Sequence, residues 1–175
     1  MLSMLKVIKN LYKYPSRITF LFCFALVLGA NLFERLGGMY ACPLCVLQRW
    51  FFLLVGCLAL IHCFFESNKI IDRMLRLGIL CFAFIGAIFA GRHIYFFSLS
   101  YEELSSLGAG CGPSLSSSIE LNGFFETIKA IWAGCTSCVQ ENWRFIFNFA
   151  EWSLLGFIFI IMLHGLIIVK KRNQR

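Results

Sequence analysis

Two cysteines two residues apart, in Cys42-Pro43-Leu44-Cys45, are the side chains here best suited to chemistry. Such a pair can pass between dithiol and disulfide if the backbone turns between the two sulfurs. Proline after the first cysteine resists a helix running in from before and suits the first turn of a new one. Cys45 is therefore expected within the first turn of the following helix. The unsatisfied N–H groups and positive dipole end there favour a thiolate over a thiol. Arg49, four residues on, falls on the same helical face one turn deeper. A permanent cation at that depth needs company, and a thiolate or a polar cofactor headgroup would suit it.

Three more cysteines bear on this chemistry: Cys111, Cys135 and Cys138. Cys111 stands between Gly110 and Gly112 in a Ser/Gly-rich stretch, Ser105 to Ser118, that includes Pro113. This stretch is expected to be mobile and leaves the sulfur little shielded, which suits capture by another protein. A loop stapled only for stability is the plainer alternative. With Cys42 and Cys45 these make an odd set, so at least one has no partner within it. A four-thiolate zinc site joining Cys42 and Cys45 to Cys135 and Cys138 is disfavoured. Two apolar spans separate the halves, whereas zinc ribbons keep them about 15–20 residues apart. No metal is expected. A purely structural disulfide at Cys42–Cys45 fits the spacing but leaves Arg49 and the helix start without a role.

The elements that must position these groups are membrane helices. Of the 175 residues, 59% are hydrophobic and 14% charged, against roughly half and a quarter in soluble domains. Four apolar stretches, about 18–33, 46–65, 77–99 and 152–169, each come near the ~20 residues that cross a bilayer. Helices are expected because backbone groups in lipid must be satisfied within their own segment. The fold expected is an all-α membrane protein, a four-transmembrane-helix bundle, in a single integral domain over 1–175. A cleaved signal peptide in place of the first span is disfavoured, since the run is long and ends without a clear cleavage site.

Basic residues set the expected orientation. Lys6, Lys9, Lys13 and Arg17 precede the first span, and Lys69, Arg73 and Arg76 separate the second and third. Lys170, Lys171, Arg172 and Arg175 follow the fourth. With four spans all three clusters share one side, opposed there only by Glu66 and Asp72. By the positive-inside rule that side is the cytoplasm, with both termini in it. The net charge of +7 is then a matter of topology, and no nucleic-acid partner is expected. Outside lie two loops, about 34–45 and 100–151, where oxidation of cysteines is permitted. Cys23, Cys57, Cys63 and Cys81 fall within spans and read as small apolar residues. In the second loop, Phe124, Phe125, Ile128, Ile131 and Trp132 form a helical stripe, with Glu126 and Lys129 off it. A short helix is expected there, lying in the membrane interface or docked on the bundle, which are compatible arrangements.

These residues carry a resemblance. Cys42-Pro43-Leu44-Cys45 with Arg49, Gly91-Arg92-His93 late in the third span, and the isolated Cys111 resemble the DsbB family of bacterial disulfide-bond formation proteins. So do Cys138-Val139-Gln140-Glu141-Asn142-Trp143 and Glu151-Trp152-Ser153-Leu154. The resemblance runs along essentially the whole chain in order. It implies a protein dithiol:quinone oxidoreductase of the bacterial inner membrane with its redox loops in the periplasm. There the DsbA–DsbB–quinone relay keeps the compartment oxidising. A DsbA-like thioredoxin-fold partner would form a mixed disulfide through Cys111, whose implied pair is Cys138. Electrons would pass to Cys42 and Cys45. Cys45 would then reduce a bound ubiquinone or menaquinone, with Arg49 polarising its oxygen, and Cys42 would restore the disulfide.

Two positions depart from that pattern. Cys135 is extra, so it is a substitute or shuffling partner for Cys138, whose spacing to Trp143 reproduces the motif. Gln48 stands where some relatives have Glu. Arg92 and His93 are further candidates for the quinone, although an arginine at a bilayer boundary also snorkels to the surface. Two other readings compete: a vitamin K epoxide reductase-like enzyme, whose Cys-x-x-Cys lies in the last spans, and a non-enzymatic membrane assembly protein with stapled loops.

Overall fold

A computed structural model describes residues 14–37, 42–65, 68–100, 102–103, 115–134 and 148–173. Its helices are α1 Pro15–Gly37, α2 Pro43–Phe64, α3 Lys69–Phe97, α4 Leu115–Asn122, α5 Phe124–Ala133 and α6 Phe149–Asn173. Four of them, α1, α2, α3 and α6, are long and apolar enough to cross a membrane. At 1.5 Å per residue, helices of 22–29 residues reach about 33–44 Å, more than the ~30 Å of hydrocarbon. The all-α, four-helix architecture is as the apolar runs imply.

The helices outrun those apolar stretches, and their ends show why. α3 begins at Lys69 rather than near Leu77, because the Asn68 side chain accepts from the N–H groups of Ile70 and Ile71 at 3.1 and 3.5 Å. That is an ordinary N-cap. Arg73 and Arg76 thus stand on the helix instead of in a connecting loop. α6 opens on a reciprocal capping box: Asn148 Oδ1 accepts from the Glu151 N–H, and Glu151 Oε2 accepts from the Asn148 N–H, both at 2.8 Å. α1 continues past the expected end at 33 as far as Gly37.

α1 packs mainly on α2, α2 on α3 and α3 on α6, with α6 also touching α1 and α2. The shared core holds Cys23, Val27, Phe52, Val55, Ala59, Ile79, Ala83, Ala90, Phe157 and Ile160. At its centre Phe52 and Phe157 stack with ring centroids 4.0 Å apart. Gly86 makes room for this pair, since a Cβ there would lie 2.4 Å from Phe157 Cζ. Apolar side chains such as Leu21, Leu28, Trp50, Phe64, Phe84 and Met162 point outward. That is normal for a bundle whose solvent is lipid. Besides Cys45, four cysteines lie within the long helices: Cys23 is buried and Cys63 half-buried, whereas Cys57 and Cys81 are exposed.

One end of the bundle is closed by polar side chains from all four long helices. Ser16 Oγ lies 2.7 Å from His62 Nδ1, and His62 Nε2 lies 2.8 Å from Asp72 Oδ1. Arg76 Nε donates to the same carboxylate oxygen at 2.8 Å. The Thr19 hydroxyl donates to the Pro15 carbonyl, so toward His164 Nε2, 2.9 Å away, it is the acceptor. These contacts bring the starts of α1 and α3 together with the ends of α2 and α6. Cys42 and the last turns of α3 therefore lie at the opposite end.

α5 docks near that opposite end. Ile131 is buried with Leu44 and Phe96, and Trp132 meets Phe89 edge-on at 5.5 Å. Gly134 ends the helix with φ 114°, and a Cβ there would come within 2.7 Å of Phe96. Both the backbone sign and the close approach call for glycine. Phe124 and Phe125 stay exposed, so only part of the apolar stripe is used in docking. The end of the stretch expected to be mobile is helical, because α4 starts at Leu115, and the Ser118 carbonyl accepts from the Thr127 hydroxyl at 2.8 Å, tying α4 to α5; the part before Leu115 lies outside the described residues.

Candidate redox site

The site starts from a helix cap. Cys42 has extended backbone (φ −64°, ψ 155°) and is the N-cap of α2, with Pro43 in the first turn. Its Sγ accepts from the Cys45 N–H at 3.1 Å. A sulfur fills the role usually taken by the oxygen of Ser, Thr or Asp. This cap folds the chain back on itself and brings Cys42 Sγ to 2.8 Å from Cys45 Sγ. Both cysteines are half-buried, and Leu44 between them in sequence is fully buried.

His93 completes the cluster from α3. Its ring is buried and stacks on Phe97 at 5.1 Å. Nε2 lies 3.7 Å from Cys42 Sγ, and Nδ1 lies 3.4 Å from the amide of the buried Gln48. The two sulfurs and a His93 nitrogen all fall within 4.8 Å of one another. Three groups able to gain or lose protons thus face each other where α2 starts and α3 ends.

Arg49 lies one turn below Cys45, but its described partners are on α1. Nη1 donates to Asn31 Oδ1 at 3.0 Å and pairs with the Glu34 carboxylate. The cation is thus accompanied by a carboxylate in the structure, where the spacing alone suggested a thiolate or a headgroup. Arg92 and His93, adjacent in sequence, part company on the helix. Arg92 Nε donates to the Trp132 carbonyl at 3.2 Å, and its guanidinium lies over the rings of Phe96, Tyr95 and Trp132. It holds α5, whereas His93 faces the cysteines.

Cys111, Cys135 and Cys138 lie outside the described residues, and so does the question of which of them pair. Gln48, Asn31 and Glu34 are neighbours that spacing did not single out as part of the site. Glu34 had a sequence signal in hindsight, being an acidic residue at the edge of an apolar span.

The arrangement is suited to moving two electrons through a dithiol. The family described as disulfide bond formation protein DsbB matches residues 15–167. The chain belongs to the DsbB family. Its relatives include the disulfide bond formation protein B of Xylella fastidiosa, 33% identical over 89% of this chain and 88% of that protein. The disulfide bond formation protein B 1 of Pseudomonas aeruginosa is 32% identical over 81% of this chain and 85% of its own length. That of Marinobacter nauticus is 29% identical over 90% and 92%. No solved structure matches the chain. As a DsbB-family member with four membrane-spanning helices, it is a multi-pass membrane protein of disulfide bond formation.

Proposed function

We propose that the chain is a protein dithiol:quinone oxidoreductase of the bacterial inner membrane, which reoxidises a DsbA-like thioredoxin-fold protein in the periplasm. The observation that carries this reading is the cap: Cys42 and Cys45 meet sulfur to sulfur at the first turn of a membrane helix, with Arg49 one turn deeper. When bound, a quinone, ubiquinone or menaquinone, supplies a two-electron acceptor. The donor set fits such a headgroup. The two described Arg49 contacts both leave from Nη1, and a guanidinium carries five N–H donors.

In this reading Cys111 takes the partner's thiol in a mixed disulfide, and Cys138, or Cys135 in its place, leaves as thiolate. Exchange within the chain then reduces Cys42–Cys45. The N–H that Cys45 offers to Cys42 Sγ steadies negative charge on that sulfur, and Cys45 would be the thiol that meets the acceptor. Arg49 would hold such a headgroup, and Glu34 and Asn31 hold Arg49. The basic ends of the helices lie on the cytoplasmic side, which puts the cysteine end in the periplasm.

The test is oxidation of a reduced DsbA-like protein by the chain in lipid nanodiscs, followed through the absorbance of added quinone. Turnover is expected with the unaltered chain and lost with Cys45→Ala. Equal turnover with and without Cys45 would overturn the proposal.

A further inference from the structure

We propose that the reduced site is also a binding site for a thiophilic divalent cation of the zinc class, held by Cys42 Sγ, Cys45 Sγ and His93 Nε2. The three donors come from two helices and already lie within 4.8 Å of one another. Tetrahedral zinc takes sulfur at about 2.3 Å and imidazole nitrogen at about 2.0 Å, which sets its donors about 3.5–3.8 Å apart. Cys42 Sγ and His93 Nε2 stand at 3.7 Å, already at that separation. The two sulfurs, at 2.8 Å, need about 1 Å more, which side-chain rotation supplies.

Surrounding groups favour the same ligand. A histidine that binds metal through Nε2 carries its proton on Nδ1 and gives it to a carbonyl-type oxygen. Gln48 lies against His93 Nδ1 at 3.4 Å, and its amide, turned end for end, offers Oε1 there. Charge also balances. Two thiolates neutralise one dication, and the nearby Arg49 is already paired with Glu34. Three protein ligands leave a fourth position open, as in zinc sites that exchange their ligand.

Binding replaces two thiol protons by the metal: two thiols, one imidazole and M2+ give the thiolate–imidazole complex and two H+. No electrons move, so the loaded motif stays reduced and gives no disulfide. The cation therefore inhibits by holding the dithiol closed. Binding itself stands apart from the oxidoreductase reading, whereas inhibition rests on it.

The test uses the full chain in nanodiscs, reduced with a phosphine and bearing Cys111→Ala, Cys135→Ala and Cys138→Ala to remove competing thiols. Zn2+ is titrated against a chromophoric chelator, and Co2+ serves as the spectroscopic probe. One equivalent of Zn2+ is expected, with a thiolate-to-cobalt charge-transfer band and the intense visible bands of tetrahedral cobalt. His93→Ala should weaken binding by at least about tenfold, and Cys45→Ala should abolish the charge-transfer band. Absence of the cobalt band in the triple variant, or unchanged Zn2+ affinity after His93→Ala, would overturn the site. Partner oxidation by the chain with all its cysteines should fall with Zn2+ and return with a chelator. If zinc binds but the zinc-free chain never oxidises the partner, the metal site stands and the oxidoreductase reading fails.

Discussion

The two ends of the bundle each place a buried histidine between helices, and they use it differently. At the basic end, His62 is fixed on both sides, by Ser16 at 2.7 Å and by Asp72 at 2.8 Å, with Arg76 on the same carboxylate. At the cysteine end, His93 touches Gln48 at 3.4 Å and Cys42 Sγ at 3.7 Å, distances at the loose edge of hydrogen bonding. The first arrangement is short and nearly closed, so it fixes how four helices register. The second leaves the sulfurs half-buried, with longer contacts to the histidine. A buried network resists change when its members are satisfied, whereas a redox centre must change its bonding in every cycle.

That contrast can be broken by substitution. The largest effect is expected from Cys45→Ala, which should lower quinone-linked partner oxidation at least about a hundredfold while thermal unfolding followed by helix signal stays in place. A large loss of stability there would mean that the cysteine end, too, is structural. Next, His62→Ala removes a buried hydrogen bond to Ser16 and a part-buried one to a carboxylate, and should cost about 3 kcal/mol in denaturant unfolding. Turnover per folded molecule should hold; a loss of turnover at full stability would erase the division between the ends. Gly86→Ala lies between them and drives a methyl into the Phe157 ring, so about 1–3 kcal/mol of destabilisation is expected from overpacking. Lys129→Gln serves as the outer reference. Its ion pair with Glu126, at 3.9 Å and widely exposed, should contribute less than about 0.5 kcal/mol.

The four long helices were legible because lipid leaves the backbone few alternatives, and runs such as Trp50 to Ile61 are apolar without interruption. Their true ends were less so. Asn68 and Asn148 start helices by capping, a contact made by one side chain that hydropathy does not register. Around the cysteines, Pro43 and the four-residue step to Arg49 foretold the helix start and the face. His93 was legible through Gly91-Arg92-His93 as a candidate for the quinone, but not as a neighbour of the cysteines. Its approach to Cys42 depends on how α2 crosses α3, and 51 residues separate the two. The polar cluster at the other end escaped notice for the same reason, since Ser16, His62, Asp72 and His164 are unremarkable one at a time. The apolar stripe of α5 indicated a helix, but only the docked structure tells that Ile131 faces inward and Phe125 outward.

Cys42 as the cap of α2 has a consequence for how the protein can be studied and how it can vary. Serine caps the start of a helix at least as well as a thiol does, its oxygen accepting from the second or third N–H. Folding alone therefore sets no requirement for sulfur at this position. Serine at position 42 should yield a chain that inserts and packs normally yet has lost one half of its redox pair. Shape and reactivity are thus separable here at the cost of a single atom, oxygen for sulfur.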